Sequence, residues 1–474
     1  MKTESISAEI LNKFKSIDET YVDELLNKEI ENSDKKIVVL DDDPTGVQTV
    51  HDVSVYTDWT EESIRNGFEE DNKLFYVLTN SRGFTTEQTI KAHTEIANTV
   101  AKVGADFNKE YIIMSRSDST LRGHYPLETK LLKDIEQEHG KKIDGEILCP
   151  FFKEGGRFTI NNIHYVKYED TLVPAGETEF AKDKTFGYTS SDMCEYIEEK
   201  TNGEYKKEDV TCISLDDIRS LNFDKIEKQL LDVNDFNKIV VNAVDYCDIK
   251  VFCVALYRAM AKGKTYMFRT AAAIVKVIGG ITDQPLLTKE KMIVKDNKNG
   301  GIVVIGSHTK KTTSQLEALK EVEGIEFIEF DSDLVLDEAK FEEEIKRVVS
   351  LSEKYISEGT TVVTYTKRKL LVVENDSKED ALVRSVKISD AVQSLVGRLT
   401  VEPSFVIAKG GITSSDVGTK ALAVKKANVM GQIKPGIPVW QTGEESKFPK
   451  TPYVIFPGNV GEITTLKEAV EVLM

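Results

Sequence analysis

The chain has 474 residues, 40% of them hydrophobic and 30% charged, the composition of a water-soluble globular protein large enough for two domains. Acidic residues outnumber basic ones by 80 to 62, a net charge of −18. That balance argues against nucleic acid as the main partner, because phosphate backbones need a surplus of Lys and Arg on one face; a small anion needs only a local cluster.

The opening MKTESISAEI is polar and lacks the apolar core of a signal peptide, and residues 1–34 read as an N-terminal extension of one or two amphipathic helices. Short apolar runs then follow, each ending abruptly in polar or glycine-containing residues. Residues 36–40 (KIVVL) run into Asp41, Asp42, Asp43, Pro44, Thr45 and Gly46; residues 74–78 (LFYVL) run into Thr79, Asn80, Ser81 and Arg82. Residues 111–114 run into the segment 115–123 (SRSDSTLRG), and residues 147–150 into 151–158 (FFKEGGRF). These runs are too short for helices and rich in β-formers, so they are expected to be buried strands. Between them Leu127, Leu131, Leu132 and Ile135 recur at helical spacing, after Pro126 and before Gly140.

The pattern restarts at residues 302–305, 361–364, 405–408 and 453–456, whose ends carry Gly306-Ser307, Tyr365-Thr366, Lys409-Gly410-Gly411 and Pro457-Gly458. Glycine pairs, Pro285 and many charges mark residues 279–301 as the boundary. The expected fold is therefore α/β, with two domains, 35–280 and 281–474, each a mostly parallel sheet flanked by helices. In such folds ligands bind outside the carboxyl ends of the strands, where the polar tips lie. Five prolines between Pro435 and Pro457 suggest an ordered loop, and Val417, Ala421, Val424 and Lys425 suggest a helix after the Gly410-Gly411 turn. The five cysteines are scattered without a CxxC pair, and the six histidines show no ligand spacing, so no residue is assigned to a metal. With no apolar run long enough to span a bilayer, the chain is expected to be cytoplasmic, with no membrane partner.

The tips suggest chemistry. Clustered Asp41, Asp42 and Asp43 suit sugar hydroxyls, proton abstraction or a water-bridged Mg²⁺; alternatively, one caps a turn and the others face solvent. The segment Arg116, Ser117, Asp118, Ser119, Thr120, Leu121, Arg122, Gly123 offers guanidinium groups for a carboxylate and hydroxyls for a polyol, although it would also cap the next helix. Arg82, Lys153 and Arg157 add positive charge at neighbouring strand ends. Gly410-Gly411 and Gly306-Ser307 are turns of the kind that admit phosphates, while neither GxxxxGK[ST] nor GxGxxG occurs.

The order Asp42-Asp43-Pro44-Thr45-Gly46, Ser81-Arg82, Asp118-Ser119-Thr120-Leu121-Arg122-Gly123, Phe268-Arg269-Thr270-Ala271-Ala272, Gly306-Ser307, Gly410-Gly411-Ile412-Thr413-Ser414, Pro435-Gly436-Ile437-Pro438 and Gly458-Asn459-Val460-Gly461 resembles the four-carbon acid sugar kinase family over nearly the whole chain. The resemblance implies an acid-sugar-binding N-terminal domain, a nucleotide-binding C-terminal domain and an active site in the inter-domain cleft. There ATP, with Mg²⁺, would phosphorylate a hydroxyl of a tetronate or oxo-tetronate. By motif it implies acid-sugar contacts from Asp42, Asp43, Arg82, Asp118, Ser119 and Thr120, and ATP contacts from Ser307, Gly410, Gly411, Ile412, Thr413 and Gly458; beside it, the chemistry of the residues makes Asp42 and Asp43 the catalytic candidates and adds Arg116 and Arg122 to the substrate contacts. Of these, Arg82, Arg116 or Arg122 would clamp the substrate carboxylate. The chain departs from the family pattern at Ser115, Ile412 and Phe456-Pro457. Two alternatives therefore stand beside the kinase reading: a non-catalytic sugar-acid or nucleotide sensor, and a kinase for a different small hydroxy acid. No motif fixes the oligomer, and a homodimer stays open.

Overall fold

The computed structural model describes residues 4–369, 371–373, 376–458 and 460–474. They divide into two compact units. The first comprises the chain up to Gly46 and Asp58–Asp283, and the second Val47–Thr57 and Gln284–Met474.

In the first unit parallel strands lie in the order Thr211–Ile213, Asn237–Val241, Gly145–Cys149, Tyr266–Thr270, Tyr111–Arg116, Lys36–Asp41, Leu74–Leu78. Ile37, Val38 and Val39 have no accessible surface. Helices cover both faces of such a sheet, so its strands read as continuous apolar runs instead of alternating ones. The helix Leu127–Glu138 buries Leu132 and Ile135 and stops before Gly140, whose φ of +83° suits glycine. A smaller antiparallel sheet, Ile6–Ser7, Thr171–Pro174, Ile163–Tyr168 and Arg157–Ile160, belongs to the same unit.

In the second unit Pro452–Phe456, Val406–Lys409, Ile302–Ile305, Thr361–Thr366 and Ile325–Phe330 are parallel neighbours. Beside them run the antiparallel strands Ile437–Thr442, Lys426–Lys434 and Val53–Tyr56. The last of these comes from the amino-terminal part of the chain, which a linear reading assigns to the first domain.

Two local expectations are corrected here. The proline-rich stretch is a set of strands and not a loop, because Pro452 opens its strand and Pro438 lies near the start of its own, where a missing N–H costs little. The helical turns after Gly410 end at Ala421, not Lys425; Ala423, at φ +51°, turns the chain into the Lys426–Lys434 strand. Among the described residues no helix is long and apolar enough to cross a membrane.

Candidate functional site

The register of the first sheet sets Asp41 beside Leu78 and Arg116, and Arg116 beside Thr270, so their strand ends share one edge. Arg82 sits among the carboxylates: Nη2 and Nε donate to Asp42 at 2.7 and 3.2 Å, and Nη1 to Asp43 at 3.2 Å. Arg116 donates to Asp41 at 2.9 Å, and the Ser117 hydroxyl to Asp42 at 2.9 Å. Asp43 also accepts the backbone N–H and the hydroxyl of Thr45, at 2.9 and 2.6 Å. These pairs offset the mutual repulsion of three adjacent carboxylates.

The environments separate the aspartates. Burial pushes Asp41 up to about 7, against the pull of Arg116 and with the neighbouring aspartates adding to the rise. Burial would also raise Asp43, but Arg82 and Thr45 outweigh it and hold the group below the usual carboxylate range. Asp118 is likewise held far below that range, since Arg82 and Arg122 overcome its burial. The side chains of Asp41 and Asp42 are only 2% and 4% exposed, whereas that of Asp43 is 17% exposed. Asp43 therefore keeps an ionised, partly exposed carboxylate.

The 118–123 loop is fixed from behind. Arg122 Nε donates to Asp118 at 2.7 Å, and the Thr120 hydroxyl pairs with the same carboxylate. Tyr188 and Tyr196 donate their hydroxyls to the carbonyls of Thr120 and Leu121 at 2.8 and 3.0 Å. His164 Nε2 lies 2.7 Å from the Ser119 carbonyl. Burial lowers His164 to about 4, so at neutral pH it is the uncharged tautomer whose Nε2–H donates there. Gly123, at φ +113°, leaves room for Arg269: a Cβ there would come within 2.6 Å of Nη2. Arg269 is paired in turn with buried Glu128. The structure thus brings Asp42, Asp43, Arg82, Arg116, Asp118, Ser119, Thr120 and Arg122 to one sheet edge, with Arg82, Arg116 and Arg122 each engaged by a carboxylate of the chain.

In the second unit Ile305, Lys409 and Phe456 are register partners, so three tips abut. A Cβ on Gly410 (φ +123°) would lie 3.1 Å from the Ser307 Cβ, one on Gly306 2.3 Å from the Thr413 hydroxyl, and one on Gly458 3.3 Å from Ser307 Oγ. Thr309 and Thr312 hydroxyls both donate to the Gly458 carbonyl at 3.2 Å. Such close-set glycine and hydroxyl turns at parallel strand ends suit phosphate oxygens. Ser307, Gly410, Gly411, Thr413 and Gly458 come together there; Ile412 sits on the same turn with its side chain 73% exposed. Asn459 lies outside the described residues.

Residues 37–278 match a sugar-binding N-terminal domain, and residues 302–466 a nucleotide-binding C-terminal domain. The chain belongs to the four-carbon acid sugar kinase family. Among solved structures it is similar to a Haemophilus influenzae protein described as DUF1537, with 17% identity and a TM-score of 0.59, covering 92% of this chain and 100% of that one. It is also similar to a Salmonella typhimurium LT2 protein provisionally described as a tRNA synthase, with 15% identity and a TM-score of 0.63, covering 92% and 98%. At these identities the likeness speaks for the fold. No curated protein matches the chain.

Two charged side chains beside these turns were not among the sequence-based candidates. Lys409 is completely buried; its ammonium donates to the Pro457 carbonyl at 2.6 Å, and burial, with Lys311 nearby, lowers it to about 7. Arg368 donates to the Ser307 carbonyl at 2.6 Å and to Thr313, while its Nη1 is buried without a hydrogen-bond partner among the described residues. Only the partner count of each nitrogen shows that Arg368 is available, and a sequence does not print it. A separate cavity of about 840 Å³ opens at the amino ends of the first unit's strands, lined by Lys35, Lys141, Lys142 and Lys264. Those lysines are paired with Glu110, Glu136 and Asp144.

Proposed function

We propose that the chain is an ATP-dependent kinase that phosphorylates a hydroxyl of a four-carbon sugar acid, a tetronate or oxo-tetronate, in sugar-acid catabolism. The observation that carries this reading is the ionised, partly open edge of Asp43 within a sugar-binding domain, in a chain that also has a nucleotide-binding domain. Asp43 orients the accepting hydroxyl and takes its proton as transfer proceeds. Phosphoryl transfer asks mainly for positioning and charge neutralisation, so a carboxylate held at low pKa suffices. Asp42, saturated by Arg82 and Ser117, positions the guanidinium group rather than meeting the substrate. Ser119 and Thr120 offer polar contacts to the remaining hydroxyls.

Ser307, Gly410, Gly411, Thr413 and Gly458 would hold the ATP phosphates, with Arg368 as the positive group beside them. Among the described residues no three or more His, Cys, Asp or Glu side chains cluster to hold a metal ion, so magnesium is given no protein ligand. It would arrive on the phosphate oxygens of ATP.

Adding erythronate, threonate and their 2- and 3-oxo derivatives to the purified chain with Mg-ATP should release ADP and yield a phosphorylated acid, identified by mass spectrometry. ATP binding without product from any of them, or from other small hydroxy acids, would sink the kinase reading and leave a sensor.

The nucleotide half has its own test. A methyl at residue 410 meets both an unfavourable φ and the Ser307 Cβ, at a cost of about 1–3 kcal/mol. Gly410→Ala and Arg368→Gln are each expected to weaken ATP binding by about ten- to a hundredfold, measured by titration calorimetry. Sugar-acid binding should survive both changes.

A further inference from the structure

The engaged arginines leave a question of charge. Asp41, Asp42, Asp43 and Asp118 face Arg82, Arg116 and Arg122, and Arg269 is paired with Glu128. Even with Asp41 protonated, that set carries no surplus positive charge. An acid approaching it would meet carboxylates whose guanidinium partners are already held, and a desolvated anion without a countercharge binds poorly.

Arg157 is differently placed. It opens the Arg157–Ile160 strand behind a tight turn, where the N–H groups of Phe152 and Arg157 bond reciprocally to each other's carbonyls at 3.0 and 2.9 Å. Gly156, at φ +73°, makes that turn. Gly155 lets the side chain fold over it, since a Cβ there would come within 2.5 Å of Arg157 Nη1, which bonds to the Gly155 carbonyl. The guanidinium lies over the Phe180 ring at 5.7 Å, and that of Arg122 lies over the same ring at 5.1 Å. One aromatic platform therefore carries both the Asp118-bound arginine and Arg157. Among the described residues no carboxylate pairs with Arg157: Asp118 and Glu179 are close enough to be felt, but Asp118 is bonded by Arg122, and Glu179 accepts the Tyr168 hydroxyl at 2.7 Å. Arg157 Nε is buried with no hydrogen-bond partner among the described residues.

We propose that Arg157 receives the substrate's carboxylate and so selects acids over uncharged polyols. This rests on the sugar-acid reading above and assigns its charge recognition to a residue other than Arg82, Arg116 and Arg122. A guanidinium fixed against a ring loses little side-chain freedom on binding, and its fork matches a carboxylate's two oxygens.

The test compares wild type, Arg157→Gln and Arg157→Lys in the full chain, titrating erythronate, threonate, their oxo derivatives and uncharged erythritol without ATP, then measuring kinetics with Mg-ATP. Arg157→Gln should weaken acid binding by about tenfold or more, with the loss falling on KM more than on kcat. Erythritol binding should be unmoved, and the lysine variant should recover part of the loss. If the glutamine variant melts early, the lysine variant, which keeps the charge but not the fork, makes the comparison. Acid binding equal to wild type in Arg157→Gln would overturn the proposal, as would equal losses for acid and erythritol, or a wild type that binds none of the acids. Acids that bind through Arg157 yet receive no phosphate would uphold it while removing the kinase reading.

Discussion

Asp43→Asn should lower kcat by about a thousandfold while leaving ATP affinity as it was. The substitution preserves size, and asparagine's carbonyl oxygen can still accept from Thr45. What disappears is the charge that faces Arg82 and the oxygen edge offered to the hydroxyl. The nucleotide turns are built from the second unit's own strands, so calorimetry with ATP separates lost chemistry from lost folding. Parallel loss of transfer and of ATP binding would refute the role. The pH profile gives a second check. Since Arg82 holds Asp43 below the usual carboxylate range, the rate should hold through mildly acidic pH and be depressed by its protonation only below that range. Asp42→Asn is expected to behave differently. It loosens Arg82 and Ser117 together, so its loss of activity should come with a lower melting temperature.

The largest effect on stability is expected from Glu128→Gln. Glu128 is buried, bonded by the Ser81 hydroxyl at 2.6 Å and by Arg269. Removing its charge leaves the Arg269 guanidinium buried and uncompensated, a change that typically costs about 3–5 kcal/mol. The folded group sits at about 2 against an ordinary 4.5, because Arg269 and His93 overcome the burial that would raise it. A depressed acid contributes stability above its unfolded pKa and loses it as pH falls through the folded one. The wild type should therefore shed about 3 kcal/mol from this group between about pH 5 and pH 2, and Glu128→Gln should not show that part of the acid dependence. Urea unfolding at pH 7 and pH 3, followed by far-ultraviolet dichroism, reads both. Equal urea midpoints for wild type and variant at pH 7 would show that Arg269 does not need this partner.

Much of this could be read from residues alone, for a physical reason. A parallel strand buried on both faces must be continuously apolar, and its end must turn polar where it leaves the core, so residues 36–46 and 405–413 announce both a strand and a site. Other features are set by partners distant in sequence. Arg82, Arg116 and Arg122 looked free to clamp a carboxylate, but residues 41–43 and 118 fold back on them. Arg157 read as one strand-end cation among several and Arg368 was not singled out; both are set apart by the nitrogens left without a partner among the described residues. The hairpin formed by Lys426–Lys434 and Ile437–Thr442 was hidden by prolines that occupy positions where the ladder asks for no donor. Lys409 stood in the sequence only as the residue before a glycine turn, and the structure seals it against the Pro457 carbonyl.

The strand Val53–Tyr56 has a consequence for how the molecule is made. Its hydrogen-bonding partner, Lys426–Lys434, leaves the ribosome about 370 residues later. At about 5–20 residues per second the early strand must wait tens of seconds with an unpaired edge, the kind of edge that invites pairing with another chain. Splitting the gene between the two family domains would hand each half the wrong inventory: a carboxyl-terminal piece beginning near Gln284 would lack a strand, and its amino-terminal companion would carry that strand without its Lys426–Lys434 partner. Coexpressed halves should regain a whole second unit only when the piece bearing Val47–Thr57 is present.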